Sequence, residues 1–219
     1  MNEILNRISQ ELQGGKTKIV KELVTQALSQ GLSAKDILEQ GLLAGMDVVA
    51  VKFKNNEVFV PEVLIAARAM NGGTELLKPH LTQSGAKPIG KALIGTVKGD
   101  LHDIGKNLVR MMFEGKGIEV IDLGVDVPPQ KFIDGYNEFK PDIVALSALL
   151  TTTMNEMKNV IDAFTSLGHR EAVIIMVGGA PVTDSFRESI GADIYTSDAA
   201  SAAEAAKQAI LKKNASAGF

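Results

Sequence analysis

The chain has 219 residues, 45% of them hydrophobic, with a mean hydropathy of +0.10, which predicts a packed protein and excludes a disordered one. A net charge of −3 and a pI near 5.7 leave no basic patch, so nucleic acid is not an expected partner. The absence of cysteine excludes disulfides, iron–sulfur clusters and thiolate zinc sites and fits a reducing cytoplasm, the expected location.

The opening "MNEILNRISQEL" is polar and amphipathic, unlike a signal peptide, and no apolar run approaches the ~18 residues of a membrane span. Ile4, Leu5, Ile8 and Leu12 recur at helical spacing. Ile19, Val20, Leu23, Val24, Ala27 and Leu28 do the same, with Gly31 placed as a stop. Ser33 and Asp36 signal the start of a third helix, whose stripe is Ile37, Leu38, Leu42, Met46 and Val49. "FKNNEVFV" (53–60) reads as a connector, and Pro61-Glu62 opens a fourth helix. Four helices with short connectors predict a helical bundle over residues 1–87. "TQSGAKPIG" (82–90) reads as the linker.

The pattern then changes. Apolar runs "KALIGTV", "GIEVIDL", "PDIVALS", "EAVIIMVGG" and "ADIYTS" alternate with helical segments. Five strands and five helices predict an α/β domain over residues 88–219. Its sheet is expected to be parallel, doubly wound and Rossmann-like. The tail "NASAGF" reads as loose.

Ligands of such sheets bind outside the carboxyl ends of the strands. Strand one ends in "KGDLHDIG", strand three in "SALLTTT" and strand four in "GGAPVT". His102 sits at a strand exit, and Asp100, two residues earlier, is close enough in a turn for its carboxylate to reach one ring nitrogen. The other nitrogen is then left for a metal or a proton. An isolated His is ordinarily a capping or core residue, but this placement argues otherwise. One imidazole holds a free zinc ion poorly. It suits a metal already held by a macrocycle. His80 and His169 read as surface residues. Thr152 or Thr153 could cap the next helix, yet capping does not readily account for Ser147, Thr151, Thr152 and Thr153 together. Gly178 and Gly179 fit either a tight turn or a ligand lying against the backbone. Their spacing is not the dinucleotide pattern.

Asp100-x-His102-x-x-Gly105, Ser147-x-Leu149 and Gly178-Gly179, in this order and at strand ends, resemble the three-part signature of cobalamin-binding domains. The helical half, with "KFKNNEVFVPEVLIAARAM", resembles the cap domain of methionine synthase and of the corrinoid proteins of methyltransferase systems. The resemblance runs from about residue 1 to 213 and implies a flavodoxin-type strand order. It also implies cobalamin, as methylcobalamin or a related corrinoid, as the cofactor. His102 is then the lower axial ligand of cobalt, Asp100 its hydrogen-bond partner, and Thr153 the third member of a proton relay. Ser147, Leu149 and Thr151 line the displaced nucleotide tail, with Gly105, Gly178 and Gly179 also against the cofactor. Phe53 and Val60 cover the upper corrin face, where methionine synthase carries a larger Leu in place of Val60.

The implied function is a methyl carrier in one-carbon metabolism, non-catalytic alone, binding the corrinoid base-off and His-on. Its methyl donor would be a methoxyaromatic, a methylamine, a betaine or methanol. Its implied partners are a substrate:corrinoid methyltransferase, a methylcorrinoid:tetrahydrofolate or coenzyme M methyltransferase, and a reductive activase. Three other readings are weighed. A cobalamin-binding sensor shares the fold, an HD-type phosphohydrolase shares "LHDIGK" but needs more histidines on an all-helical fold, and a flavodoxin-like or receiver domain leaves the helical half unexplained.

Overall fold

The computed structural model describes residues 3–84 and 87–217. The chain divides into two compact units, Met1–Pro88 with Gly115–Gly117, and Ile89–Glu114 with Ile118–Phe219.

In the first unit, α1 (Glu3–Gln13) buries Ile4, Leu5, Ile8 and Leu12, and α2 (Thr17–Ser29) buries Val20, Leu23, Val24 and Ala27. These are the helical stripes of the sequence, turned inward. Ser33 caps α3 (Ala34–Asp36), its hydroxyl accepting the Asp36 N–H at 3.0 Å. The third predicted helix is not uniform. A π-helical stretch, Ile37–Leu43, separates α3 from α4 (Ala44–Lys54). The widening coincides with Gly41, a poor helix former, where an added Cβ would lie 3.1 Å from Ile8 Cγ2.

The predicted connector is shorter than 53–60. Phe53 and Lys54 complete α4, and Val60 already begins α5 (Val60–Ser84). Glu62 supports this start by accepting the Phe59 N–H at 3.1 Å. α5 packs against α2, and α1 packs against α2 and α4, which makes the unit a four-helix bundle. Thr82, Gln83 and Ser84 of the predicted linker belong to α5, while Gly85 and Ala86 lie outside the described residues.

The second unit is a five-stranded, all-parallel sheet in the order β2-β1-β3-β4-β5. Its strands are β1 (Gly90–Thr96), β2 (Ile118–Asp122), β3 (Ile143–Ser147), β4 (Ile174–Gly178) and β5 (Ile194–Tyr195). The intervening helices are α6 (Ile104–Gly115), α7 (Pro129–Phe139), α8 (Asn155–Ser166), α9 (Asp184–Ile190) and α10 (Ala199–Ala217). Strands covered on both faces must be apolar almost throughout. Ala92–Thr96 and Ile143–Leu146 are buried without interruption. Leu93, Phe132, Leu146, Val160, Phe164 and Ile175 lie at the centre of one core.

α10 corrects the reading of a loose tail, since Asn214–Ala217 continue the helix. Lys213 holds Asp142 at 3.1 Å, and the Asn214 side-chain amide donates to the Ile89 carbonyl at 3.2 Å. The final Gly218 and Phe219 lie outside the described residues. β1 has β2 on one side and β3 on the other, so the chain changes direction there, the position at which open parallel sheets bind ligands beyond their strand ends.

Candidate functional site

The register brings the three motif-bearing exits side by side, with Thr96 opposite Ser147 and Ser147 opposite Gly178. The first exit carries Gly99, Asp100, Leu101 and His102 before α6 begins at Ile104. Gly99 has φ +79°, a left-handed turn that glycine makes without steric cost.

Asp100 is fully buried, and both its oxygens are engaged. Oδ1 accepts the His102 backbone N–H at 3.1 Å and lies 2.7 Å from His102 Nδ1. Oδ2 accepts the N–H groups of Leu149 and Leu150 at 2.7 and 3.1 Å and the Thr153 hydroxyl at 2.8 Å. Burial alone would push this carboxyl up. The hydrogen bonds from Leu149, His102 and Thr153 outweigh burial and hold it well below the usual carboxylate range. An ionised Asp100 accepts a hydrogen bond from the Nδ1–H of His102 and leaves Nε2 as the ring's ligand atom. The His102 side chain is 51% exposed.

The second exit supplies Thr153, whose hydroxyl goes to Asp100 and not to the start of α8. α8 has no side-chain cap. Thr151 and Thr152 are exposed, Ser147 is half-buried, and the Leu149 side chain is exposed while its N–H holds Asp100. At the third exit Gly179 has φ +137°, and a Cβ there would lie 1.8 Å from the Ala148 carbonyl oxygen. Gly178 and Gly105 are different, because a Cβ on either would meet nothing within 4 Å. The backbone at these two positions faces open space.

These residues fit a metal that arrives inside a macrocycle. Among the described residues no three His, Cys, Asp or Glu are grouped to hold a bare ion. A single imidazole, oriented by a buried carboxylate, stands instead among exposed apolar side chains. Leu101 is 71% and Ile104 74% exposed, and Leu149 and Leu150 are exposed on the adjacent exit. A flat, largely apolar ring would cover such side chains. Reading the sequence by its polar motifs missed Leu101, Ile104 and Leu150. The available signal was two apolar residues inside a polar loop.

Phe53 is in the last turn of α4 and Val60 at the first residue of α5, both half-buried in the helical unit. His80 is exposed. His169 is half-buried, its ring tilted against Tyr136 with centroids 5.1 Å apart. The "LHDIGK" segment follows a strand of a parallel sheet, which removes the all-helical setting of an HD-type hydrolase. Among the described residues no helix is long and apolar enough to cross a membrane.

Comparison with known proteins gives a consistent result. A family model of the B12 binding domain matches residues 90–207, and a second B12 binding domain model matches residues 4–78. The trimethylamine corrinoid protein of Methanosarcina barkeri is 39% identical over 210 residues, covering 95% of this chain and 97% of that protein. The dimethylamine corrinoid protein of the same organism is 40% identical over 208 residues, 94% of this chain and 97% of that one. Among solved structures, the methanol:cobalamin methyltransferase complex MtaBC from Methanosarcina barkeri contains a chain that superposes with a TM-score of 0.86. The two are 31% identical over 96% of this chain and 80% of that chain. A cobalamin-binding protein from Desulfitobacterium hafniense superposes at 0.78 with 30% identity, covering 94% of this chain and 98% of that one.

Proposed function

The chain belongs to the B12-binding proteins, and from that premise we propose that it is a corrinoid methyl carrier whose donor is a methylamine. Its cofactor is cobalamin or a related corrinoid. The observation that carries the reading is the buried Asp100 carboxylate 2.7 Å from Nδ1 of a half-exposed His102, at the exit of β1. The choice of carrier and of donor class is supported by methylamine corrinoid proteins that match nearly the full length of this chain.

In this reading His102 Nε2 would hold the cobalt of the corrinoid. Gly105, Ser147, Leu149, Thr151, Gly178 and Gly179 flank the corrinoid and its displaced nucleotide tail. Phe53 and Val60 are the residues of the helical unit that would contact the corrin. When bound, the cobalt supplies a strong nucleophile in its lowest oxidation state and a transferable methyl group once alkylated. The protein's own part is to hold and release the imidazole. Asp100 keeps Nδ1 protonated, so Nε2 points its lone pair outward. Asp100 faces the ring with a carboxylate that Thr153 also holds. The carrier works between a methylamine:corrinoid methyltransferase and a second methyltransferase that passes the methyl to tetrahydrofolate or coenzyme M. A reductive activase rescues oxidised cobalt.

Reconstitution with hydroxocobalamin tests the reading. The full chain should stay red through gel filtration. Reduced to cobalt(II), it should show coupling to one nitrogen that responds to ¹⁵N-histidine labelling. His102→Ala should keep some corrinoid and lose that coupling. A protein that does not retain corrinoid, or whose spectrum is unchanged in His102→Ala, defeats the assignment. With a partner methyltransferase, methyl uptake from mono-, di- or trimethylamine separates the carrier from a sensor, and uptake only from methanol or a methoxyaromatic overturns the donor class.

A further inference from the structure

The His102 loop is held by more than Asp100 and Thr153. Thr96, the last residue of β1, is fully buried, and its hydroxyl donates to the carbonyl of His102 itself at 2.8 Å. On the other side, the turn after β2 carries Asp126 in a left-handed conformation, φ +52°. Its carboxylate Oδ1 accepts the Gly99 N–H at 2.7 Å, and its own N–H donates to the Asp100 carbonyl at 3.0 Å. Gly99 is left-handed too, so each turn is held in its unusual conformation by the other. The loop is therefore fastened to three neighbouring strand exits: to β3 through the Asp100 side chain, to β2 through Asp126, and to β1 through Thr96.

We infer that Thr96 and Asp126 are positioning residues that hold the backbone of residues 99–102 at the height from which the imidazole reaches cobalt. The inference rests on the reading of His102 as the axial ligand. Asp100, held by Leu149, Leu150 and Thr153 of the β3 exit, orients the ring and also holds the N–H of residue 102. The Thr96 bond adds an independent anchor on the carbonyl side, because it runs from strand β1 to the ligand residue's own backbone. A loop freed from it relaxes in the unligated state and must be drawn back to ligate, which weakens ligation by about the strength of one hydrogen bond.

The test uses the full chain loaded with cobalamin. Thr96→Val keeps shape and β-branching and removes the donor; Thr96→Ser restores it. Asp126→Gly keeps left-handed freedom and removes the carboxylate; Asp126→Asn keeps an acceptor oxygen. Thr96→Val and Asp126→Gly should each weaken imidazole ligation about fivefold, read as a rise of about 0.7 pH unit in the midpoint at which acid displaces His102 from cobalt. In the protein without corrinoid, amides 99–103 should exchange faster in these two variants while the rest of the chain is unchanged, which separates a displaced loop from an unfolded one. Thr96→Ser and Asp126→Asn should return both readouts toward the parent. If Thr96→Val does not fold, the Asp126 pair decides. A parent protein with nitrogen coupling, and variants with the parent's midpoint and exchange, would overturn the inference alone. A parent protein without nitrogen coupling removes the axial-ligand reading and this inference with it.

Discussion

Asp100 joins the chemistry of the site to its stability. Five donors converge on one buried carboxylate: three N–H groups, a hydroxyl and an imidazole Nδ1. Asn at this position has only one acceptor oxygen. Whichever way it turns, its NH₂ confronts donors from Leu149, Leu150 and Thr153 or those of His102. Asp100→Asn should therefore destabilise the corrinoid-free protein by about 3 kcal/mol, measured by urea unfolding. The direction of its titration gives a second expectation. The carboxyl's folded value lies below its unfolded value of about 4. As pH falls below 4 the unfolded chain takes up the proton first, so stability present at neutral pH is lost toward the folded value. In Asp100→Asn that part of the acid limb should be absent, leaving a flatter dependence of the urea midpoint on pH below about 4.

Strand exits determine which changes the site tolerates. Gly178 and Gly179 are adjacent, yet they meet different surroundings. A Cβ on Gly179 would strike the Ala148 carbonyl oxygen, and φ +137° is open to glycine almost alone. Gly179→Ala should cost about 3 kcal/mol of unfolding free energy even without corrinoid. A Cβ on Gly178 meets open space. Gly178→Ala should leave the corrinoid-free protein within about 0.5 kcal/mol of the parent, and its effect should appear as weakened corrinoid retention on gel filtration. Full retention would remove Gly178 from the proposed tail site. Much of this element-scale order is legible in the sequence. Buried parallel strands must be apolar runs, and the loops that follow them announce polar chemistry. Contacts between distant loops are not legible. Nothing near Thr96 signals that its hydroxyl reaches residue 102, nothing near Asp126 signals Gly99, and nothing near Asp100 signals Leu150. Lys106 shows the same limit. Its side chain is 2% exposed and its ammonium sits 2.5–2.7 Å from both oxygens of Asp122, a partner sixteen residues away. The extension of α10 and the π-helical stretch also depend on partners far along the chain, which local propensity does not contain.

At the scale of the molecule, the two units can be asked separately whether they take part in binding. The residues proposed to hold cobalt lie in the α/β unit, while Phe53 and Val60, also proposed to take part in corrinoid binding, lie in the helical unit. Binding stabilises only what it contacts in the folded state. A corrinoid in hundredfold excess over its dissociation constant should add about 2.7 kcal/mol to the unfolding free energy of the unit that holds it. A chain of two units need not unfold in one step, so calorimetry can resolve the transitions. If Phe53 and Val60 take part in corrinoid binding, the helical unit's transition should rise together with that of the α/β unit when hydroxocobalamin is added. Phe53→Ala should reduce that shared rise while leaving the nitrogen coupling of His102 intact, because the lower ligand does not depend on it. A helical transition that stays put, with only the α/β unit stabilised, would remove Phe53 and Val60 from the proposed site and confine corrinoid binding to the sheet's edge.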